Sequence, residues 1–371
     1  MLNLLDADKK EIECFFEAIG EKKFRAAQVQ SWLYRGAMNF EEMTDLSKTL
    51  RRRLDEEVRK GTISLGGITR LAALSSSDKS TEKFLFGLSD GNAIETVLMR
   101  YKYGNSVCVS SQAGCRMGCV FCASTIGGLK RNLTPGEITA QVTAVLRHIK
   151  DEKGYSLSSK EERIGHIVIM GTGEPLDNFD NVKRFIEIVS DPHGLAVGLR
   201  NITVSTCGIV PMIGRFAEEL PQVNLAISLH APNNAVRSTL MPINRKYPIE
   251  VLMPACEDYV KKTGRRITFE YALAADRNDT EQQAEGLIRL LKRYFREKNG
   301  TAGLCHVNLI PLNKVEETGL EGSDRRKAET FCSLLTAAGV PATIRREMGA
   351  DIHAACGQLR LSENNPDKTN I

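Results

Sequence analysis

Apolar residues recur near helical spacing through the first fifth of the chain. Leu4, Ile12, Phe15 and Phe16 form one stripe, and Phe24, Val29, Trp32 and Leu33 another. That pattern predicts a compact helical segment over residues 1 to about 75. Within it, Leu46 to Val58 carries the run Arg51, Arg52, Arg53 among equally frequent acidic residues. A solvated helix face is the first reading of that run, and contact with RNA the second. The period changes after residue 80. KFLFGLS and AIETVLM flank Asp90-Gly91, a hairpin turn signal, and predict a small β-layer. From residue 106 onward strand-like runs alternate with helical ones. The strands are predicted at 106–111, 166–171, 201–206, 223–229, 266–273 and 306–312. Helices are predicted to start at Thr134-Pro135-Gly136-Glu137 and at Thr280 with Gln283 three residues on, and to cover 180–191, 249–263 and 323–338. Such alternation implies an α/β fold, a parallel sheet with right-handed crossovers curled into a partial barrel, with its chemistry at the carboxyl ends of the strands.

Composition narrows the class. Hydrophobic residues make up 42% and charged residues 26% of 371, as in an ordinary globular enzyme. A formal net charge of +4 is compatible with an RNA partner without requiring one. The opening MLNLLDADKKEIECFF has no basic start followed by an apolar core, and no run approaches the roughly 20 apolar residues of a membrane span. No membrane association and a reducing cytoplasmic setting are therefore expected. The polar tail ENNPDKTNI is expected to fray.

Three of the ten cysteines lie within eight residues, Cys115, Cys119 and Cys122, spaced C-x3-C-x2-C. Thiolates at such spacing suit an iron–sulfur cluster or zinc. Structural zinc takes four closed ligands, commonly as two paired knuckles, and the sequence has no second CxxC pair. Three ligands on a four-iron cluster leave one iron open to a substrate's amine and carboxylate. Beyond this loop, each predicted strand ends in glycines or polar groups. These are Gly171-Thr172-Gly173-Glu174-Pro175, Ser205-Thr206-Cys207-Gly208, Ser228-Leu229-His230 and Asn313. Each alone reads as a satisfied cap; together they read as a ring around one ligand.

The cysteine spacing is the signature of the radical S-adenosylmethionine superfamily, which the chain resembles. The resemblance implies a [4Fe-4S] cluster on Cys115, Cys119 and Cys122, and reductive cleavage of S-adenosylmethionine to methionine and a 5′-deoxyadenosyl radical. It also implies a flavodoxin or ferredoxin as electron donor. CVSSQAGCRMGCVFCAS, MGTGEPLDN, VSTCGIVP, ISLHAPNNAVR, NLIPLN and DIHAACGQLR together resemble, over nearly the whole chain, the RlmN/Cfr family of RNA adenine methyltransferases. For this chain that implies S-adenosylmethionine contacts from Gly173, Glu174, Ser205, Ser228, Leu229, His230 and Asn313. It implies 23S rRNA and tRNA as substrates and a monomeric enzyme. The corresponding division is a helical accessory domain (1–75), a β-hairpin extension (76–105), the partial (β/α)6 barrel (106–347) and a C-terminal segment (348–371).

Two further cysteines acquire a role through that resemblance. By composition Cys108 and Cys356 could each be a buried small hydrophobe. C2 of adenine is electrophilic, so direct transfer of a sulfonium methyl to it is implausible. The family's device is a relay, in which Cys356 first accepts a methyl group as a thiolate. A second S-adenosylmethionine yields the radical that abstracts hydrogen from that S-methyl group. The methylene carbon adds to C2, Glu95 takes the C2 proton, and Cys108 releases the product by forming a disulfide with Cys356. Without the family, Glu95 reads as an ordinary strand glutamate. Thr172 and Cys207 stand where many members have methionine and serine, and His353 near Cys356 is another departure. Alternatives are a C8 methyltransferase with the same cysteine pair, a different radical enzyme and a zinc-stabilised RNA-binding module.

Overall fold

The computed structural model describes residues 1–153, 163–297, 300, 302–312, 319–346 and 348–352. The N-terminal part forms three helices, α1 (Lys9–Ala18), α2 (Phe24–Tyr34) and α3 (Lys48–Arg59). Asp8 and Glu11 close a reciprocal capping box on α1, each side chain accepting the other's backbone N–H at 2.8 Å. Ile12, Phe16, Val29, Leu33, Phe40, Leu50 and Leu54 fill a core of their own. On α3, Arg51 bonds Glu41 while Arg52 and Arg53 are exposed.

One ten-stranded sheet forms the rest of the frame. Its strands are β1 (Thr69–Ser75), β2 (Thr81–Gly87), β3 (Ala93–Tyr101), β4 (Gly104–Val109), β5 (Ile164–Ile169), β6 (Ile202–Thr206), β7 (Asn224–Ser228), β8 (Ile267–Leu273), β9 (Cys305–Pro311) and β10 (Ala342–Ile344). They lie side by side in chain order. Strands β1 to β4 pair antiparallel, and β4 to β10 pair parallel. Helices α4 (Pro135–Lys153), α5 (Phe179–Ser190), α6 (Val210–Glu219), α7 (Asn234–Leu240), α8 (Ile249–Thr263), α9 (Glu281–Phe295) and α10 (Arg325–Ala337) make the crossovers. Their apolar faces and one face of the sheet share a continuous core. The result is a partial barrel, open between β10 and β1.

Two expectations change. Residues 69–75, read with the helical segment, form β1 instead. All seven are exposed at the sheet edge, so no alternation marks them. The predicted hairpin is present, with Gly91 at φ +84°, and β3 pairs directly with β4, so the β-layer leads straight into the barrel sheet. Six barrel strands occur where predicted, and the three-residue β10 adds a seventh.

Local signals position the helices. Thr134 and Glu137 exchange side-chain-to-backbone hydrogen bonds at the start of α4 (3.0 and 3.2 Å). α8 ends at Gly264, whose φ of +64° terminates the helix in the left-handed region. Among the described residues, no helix is long and apolar enough to cross a membrane.

Candidate functional site

A cavity opens at the carboxyl ends of the parallel strands. The cluster loop contributes Cys115, Met117, Cys119, Phe121 and Cys122; the β5 end contributes Met170, Gly171, Gly173 and Glu174; β6 and β7 contribute Ser205, Thr206, Cys207, Ser228 and His230. Glu270, Ala272, Ile310, Leu312 and Arg345 close the far side. The loop after β4 is forced into this mouth by tight turns. Gly114 has φ +76°, and a Cβ there would sit 1.9 Å from the carbonyl oxygen of Gly128. A Cβ on Gly171 or Gly173 would lie 2.7 to 2.8 Å from residues 109–112, so these glycines serve the packing of the cluster loop.

Cys115 and Cys119 are buried and Cys122 half-buried. Burial, with the neighbouring thiols and Glu174, pushes the Cys115 thiol up to about 12 and Cys119 well above its usual value. Such thiols stay protonated until a metal displaces the proton. Among the described residues, the only His/Cys/Asp/Glu trio with ligand atoms all within 4.8 Å of one another is Glu82, His148 and Glu152, and Arg100 pairs with both of its carboxylates. The three loop thiols line one wall of the cavity, and a cluster taking one thiolate per iron would use all three.

Glu174 is fully buried. Its Oε1 accepts from Leu176 N–H (3.0 Å) and its Oε2 from Cys207 N–H (2.7 Å). Burial raises its pKa, and these hydrogen bonds oppose the rise. His230 has φ +55°; its Nδ1 accepts from Ala272 N–H (2.9 Å), which leaves the ring proton on Nε2. Burial, reinforced by Arg237, pushes its pKa down to about 3, so the ring is neutral. Phe121 packs edge-on against it at 4.7 Å. Leu229 is fully buried and absent from the cavity lining; its carbonyl accepts from Arg237 Nε at 3.1 Å.

Arg237 is a residue that sequence reasoning passed over. Its guanidinium is completely buried and donates to the carbonyls of Cys207 (2.9 Å), Ser228 (3.1 Å) and Leu229, and to Asn244 Oδ1 (2.9 Å). It ties the ends of β6 and β7 together around the cavity.

A second wall lies on β2 to β5. Register places Cys108 opposite Val97 and beside Val168, and it packs with Met99, Met170, Met348 and Ile352. Met170 also lines the cavity, linking the two regions. Glu95 is buried two residues before Val97 on the same strand, and Ser110 Oγ donates to its carbonyl at 2.7 Å. Its carboxylate pairs with Lys83 Nζ at 3.0 Å. Lys83 is a second partner that sequence reasoning missed. Asp351 accepts from Ser77 N–H at 2.8 Å, which anchors the chain just before Cys356 to the β1–β2 turn. Cys356, Asn313 and His353 lie outside the described residues.

Comparison with known proteins gives a consistent result. Residues 2–59 match the ribosomal RNA large subunit methyltransferase N-terminal domain, and residues 109–291 match the radical SAM superfamily. The chain is 50% identical over 360 residues to a probable dual-specificity RNA methyltransferase RlmN of Desulforamulus reducens, covering 97% of this chain and 96% of that one. A protein of the same description from Clostridium perfringens is 50% identical over 363 residues, covering 98% and 97%. A solved radical SAM methyltransferase from Sphaerobacter thermophilus is 44% identical, with a TM-score of 0.87 over 97% of this chain and 99% of that chain.

Proposed function

The chain belongs to the RlmN family of radical S-adenosylmethionine RNA methyltransferases, and from that premise we propose that it methylates C2 of adenine in two RNAs. These are an adenine of the 23S rRNA peptidyl transferase centre and the adenine 3′ of the tRNA anticodon. The observation that carries this reading is the wall on β3 and β4. Cys108 packs against Met348 and Ile352, the latter four residues before Cys356, and Glu95 lies on the adjacent strand. A two-cysteine relay gives that buried cysteine and carboxylate a purpose; a radical enzyme of another kind does not.

A [4Fe-4S] cluster held by Cys115, Cys119 and Cys122 supplies the one-electron cleavage of S-adenosylmethionine to a 5′-deoxyadenosyl radical. The chain's own residues govern the rest. Cys356, as a thiolate, attacks the methyl carbon of a first S-adenosylmethionine and releases S-adenosylhomocysteine. Hydrogen abstraction from the S-methyl group, at the expense of a second, leaves a carbon radical that adds to C2. One electron of this adduct would return to the oxidised cluster, and Glu95 accepts the C2 proton. Cys108 then attacks the Cys356 sulfur. The S–S bond forms as the carbon–sulfur bond breaks, and the departing carbon takes a proton to become the methyl group. Turnover therefore consumes two S-adenosylmethionines and requires reduction of the disulfide. A flavodoxin or ferredoxin donor, a monomeric enzyme and a cytoplasmic setting complete the reading. The target base must be unstacked to reach the cavity.

Nuclease digestion of 23S rRNA and tRNA after reaction, with 2-methyladenosine and 8-methyladenosine resolved by mass spectrometry, tests the proposal. 2-Methyladenosine in both RNAs is expected. 8-Methyladenosine would assign the C8 reaction instead, and modification of rRNA alone would remove the tRNA half.

A further inference from the structure

The cluster loop has an outer face that the relay leaves unused. Cys119 and Met241 line the cavity, while the residues that follow them, Val120 and Pro242, are exposed. The two loops are stitched together. Val120 N–H donates to the Leu240 carbonyl at 3.0 Å, and a Cβ on Gly118 would meet the Pro242 ring at 3.5 Å. Successive residues of each loop thus face the cluster site and solvent. The charge of this face is one-sided. Asp and Glu number 46 in 371 residues, yet none occurs between Glu95 and Glu137 or between Glu219 and Glu250. Arg116 in the first loop is exposed, as are Arg245 and Lys246 on the turn that begins at Pro242. Arg116 pairs with Asp177, whereas Arg245 and Lys246 form no ion pair with a described residue. Glu250, which ends the second acid-free stretch, accepts from Asn234 Nδ2 at 2.7 Å.

We infer that this face docks a small acidic one-electron donor protein. One electron leaves the donor's reduced centre and enters the cluster behind the loop, and no atom is transferred. The composition suits such an interface. Val120 and Ile126, 39% and 50% exposed on either side of Cys122, supply apolar contact. Arg116, Arg245 and Lys246 supply the field that draws in and orients an acidic partner. Electron-transfer encounters bury little surface, so two adjoining loops suffice. RNA is the other polyanion, but unpaired bases stack on exposed aromatic rings. Among the described residues this face offers none: Phe121 packs against His230 in the cavity, and Tyr247 is half-buried under the Lys246 ammonium at 5.3 Å. The inference rests on the proposed flavodoxin or ferredoxin donor and gives it a place on the molecule.

The test compares the full-length wild type with Arg245→Glu/Lys246→Glu, both reconstituted anaerobically and matched for iron and sulfide. The probes are an acidic bacterial flavodoxin and an acidic bacterial ferredoxin. Calorimetry with the oxidised donors at low salt measures binding without turnover. The dissociation constant should rise about 10-fold or more in the double variant, and in wild type on adding salt. Formation of 5′-deoxyadenosine at sub-saturating reduced donor should fall to match. Dithionite, a small reductant that needs no docking, should drive both enzymes equally. Arg245→Gln/Lys246→Gln, which removes the charges without reversing them, should fall between and guards against misfolding. Unchanged donor affinity in the double variants overturns the inference. Weakened binding of a tRNA anticodon stem-loop, with donor binding intact, overturns it too and gives the face to RNA. Wild type that cleaves S-adenosylmethionine with dithionite but neither binds nor accepts electrons from either protein overturns the proposed donor, and this inference with it.

Discussion

At the scale of single residues, burial has set the charges before any ligand arrives. His230 is the clearest case. Its folded pKa is about 3, against an ordinary 6.5, because burial and Arg237 disfavour the imidazolium. The unfolded chain therefore binds a proton that the folded one refuses between those pH values. His230 thus contributes stability that is fully present above pH 6.5 and is lost as pH falls toward 3. The full shift corresponds to on the order of 3–5 kcal/mol. Urea unfolding of wild type and His230→Asn at pH 7.5 and pH 5 checks this. The wild type should lose more stability on acidification than the variant, and equal losses would show that His230 titrates normally. The Lys83–Glu95 pair carries a second prediction. Removing one partner of a buried ion pair disturbs the charge that remains. Lys83→Met should slow turnover and accumulate the RNA–protein crosslink, while Lys83→Arg retains activity. Normal turnover in Lys83→Met, without crosslink on denaturing gels, would remove Lys83 from the chemistry. Cysteine spacing and the Gly-Glu turn were legible in the sequence because they are local. Lys83 and Arg237 were not, because each draws its meaning from strands or loops far away in the chain.

Among elements, the cluster loop and the C-terminal approach to Cys108 are the most exacting. Gly114→Ala places a methyl group 1.9 Å from a backbone oxygen at φ +76°, so the loop must shift. The variant should fold, since the loop sits outside the main core, but take up well under the wild-type iron content after reconstitution. Full cluster loading would show that the loop tolerates the displacement. The C-terminal segment is held by Met348, Ile352 and the Asp351 contact with Ser77. Met348→Ser with Ile352→Ser should slow disulfide formation between Cys108 and Cys356 without lowering iron content; an unchanged rate of thiol loss under mild oxidation would refute that anchoring. Barrel strands were legible because buried parallel strands read as short apolar runs between capped helices. The N-cap signals at Thr134 and Thr280 placed helix starts closely. β1 escaped because an exposed edge strand needs no apolar face, and β10 because three residues carry no period.

The whole molecule combines a helical module with its own core and a barrel with another, and the two are not independent. Ala140 of α4 and Ile188 of α5 belong to the N-terminal core. Asp6 accepts from Gly136 N–H at 2.6 Å near the start of α4, Arg147 pairs with Glu42 at 2.6 Å, and buried Lys150 donates to the Arg35 carbonyl at 2.6 Å. Gly36 and Gly194 admit close approach from either side: a Cβ on the first would meet the Thr143 carbonyl at 3.1 Å, and on the second the Tyr34 ring at 2.8 Å. A module merely tethered to the barrel would share neither core residues nor buried charges. Fusion of this kind keeps the N-terminal helices at a fixed angle to the cavity. Heat unfolding of the full chain should therefore be one cooperative transition. Deleting residues 1–62 should lower the barrel's midpoint, because Lys150 loses the Arg35 carbonyl and Ala140 and Ile188 meet water. Two resolved transitions in calorimetry, with a barrel midpoint unmoved by the deletion, would show that the modules fold separately and that RNA is presented by a mobile arm.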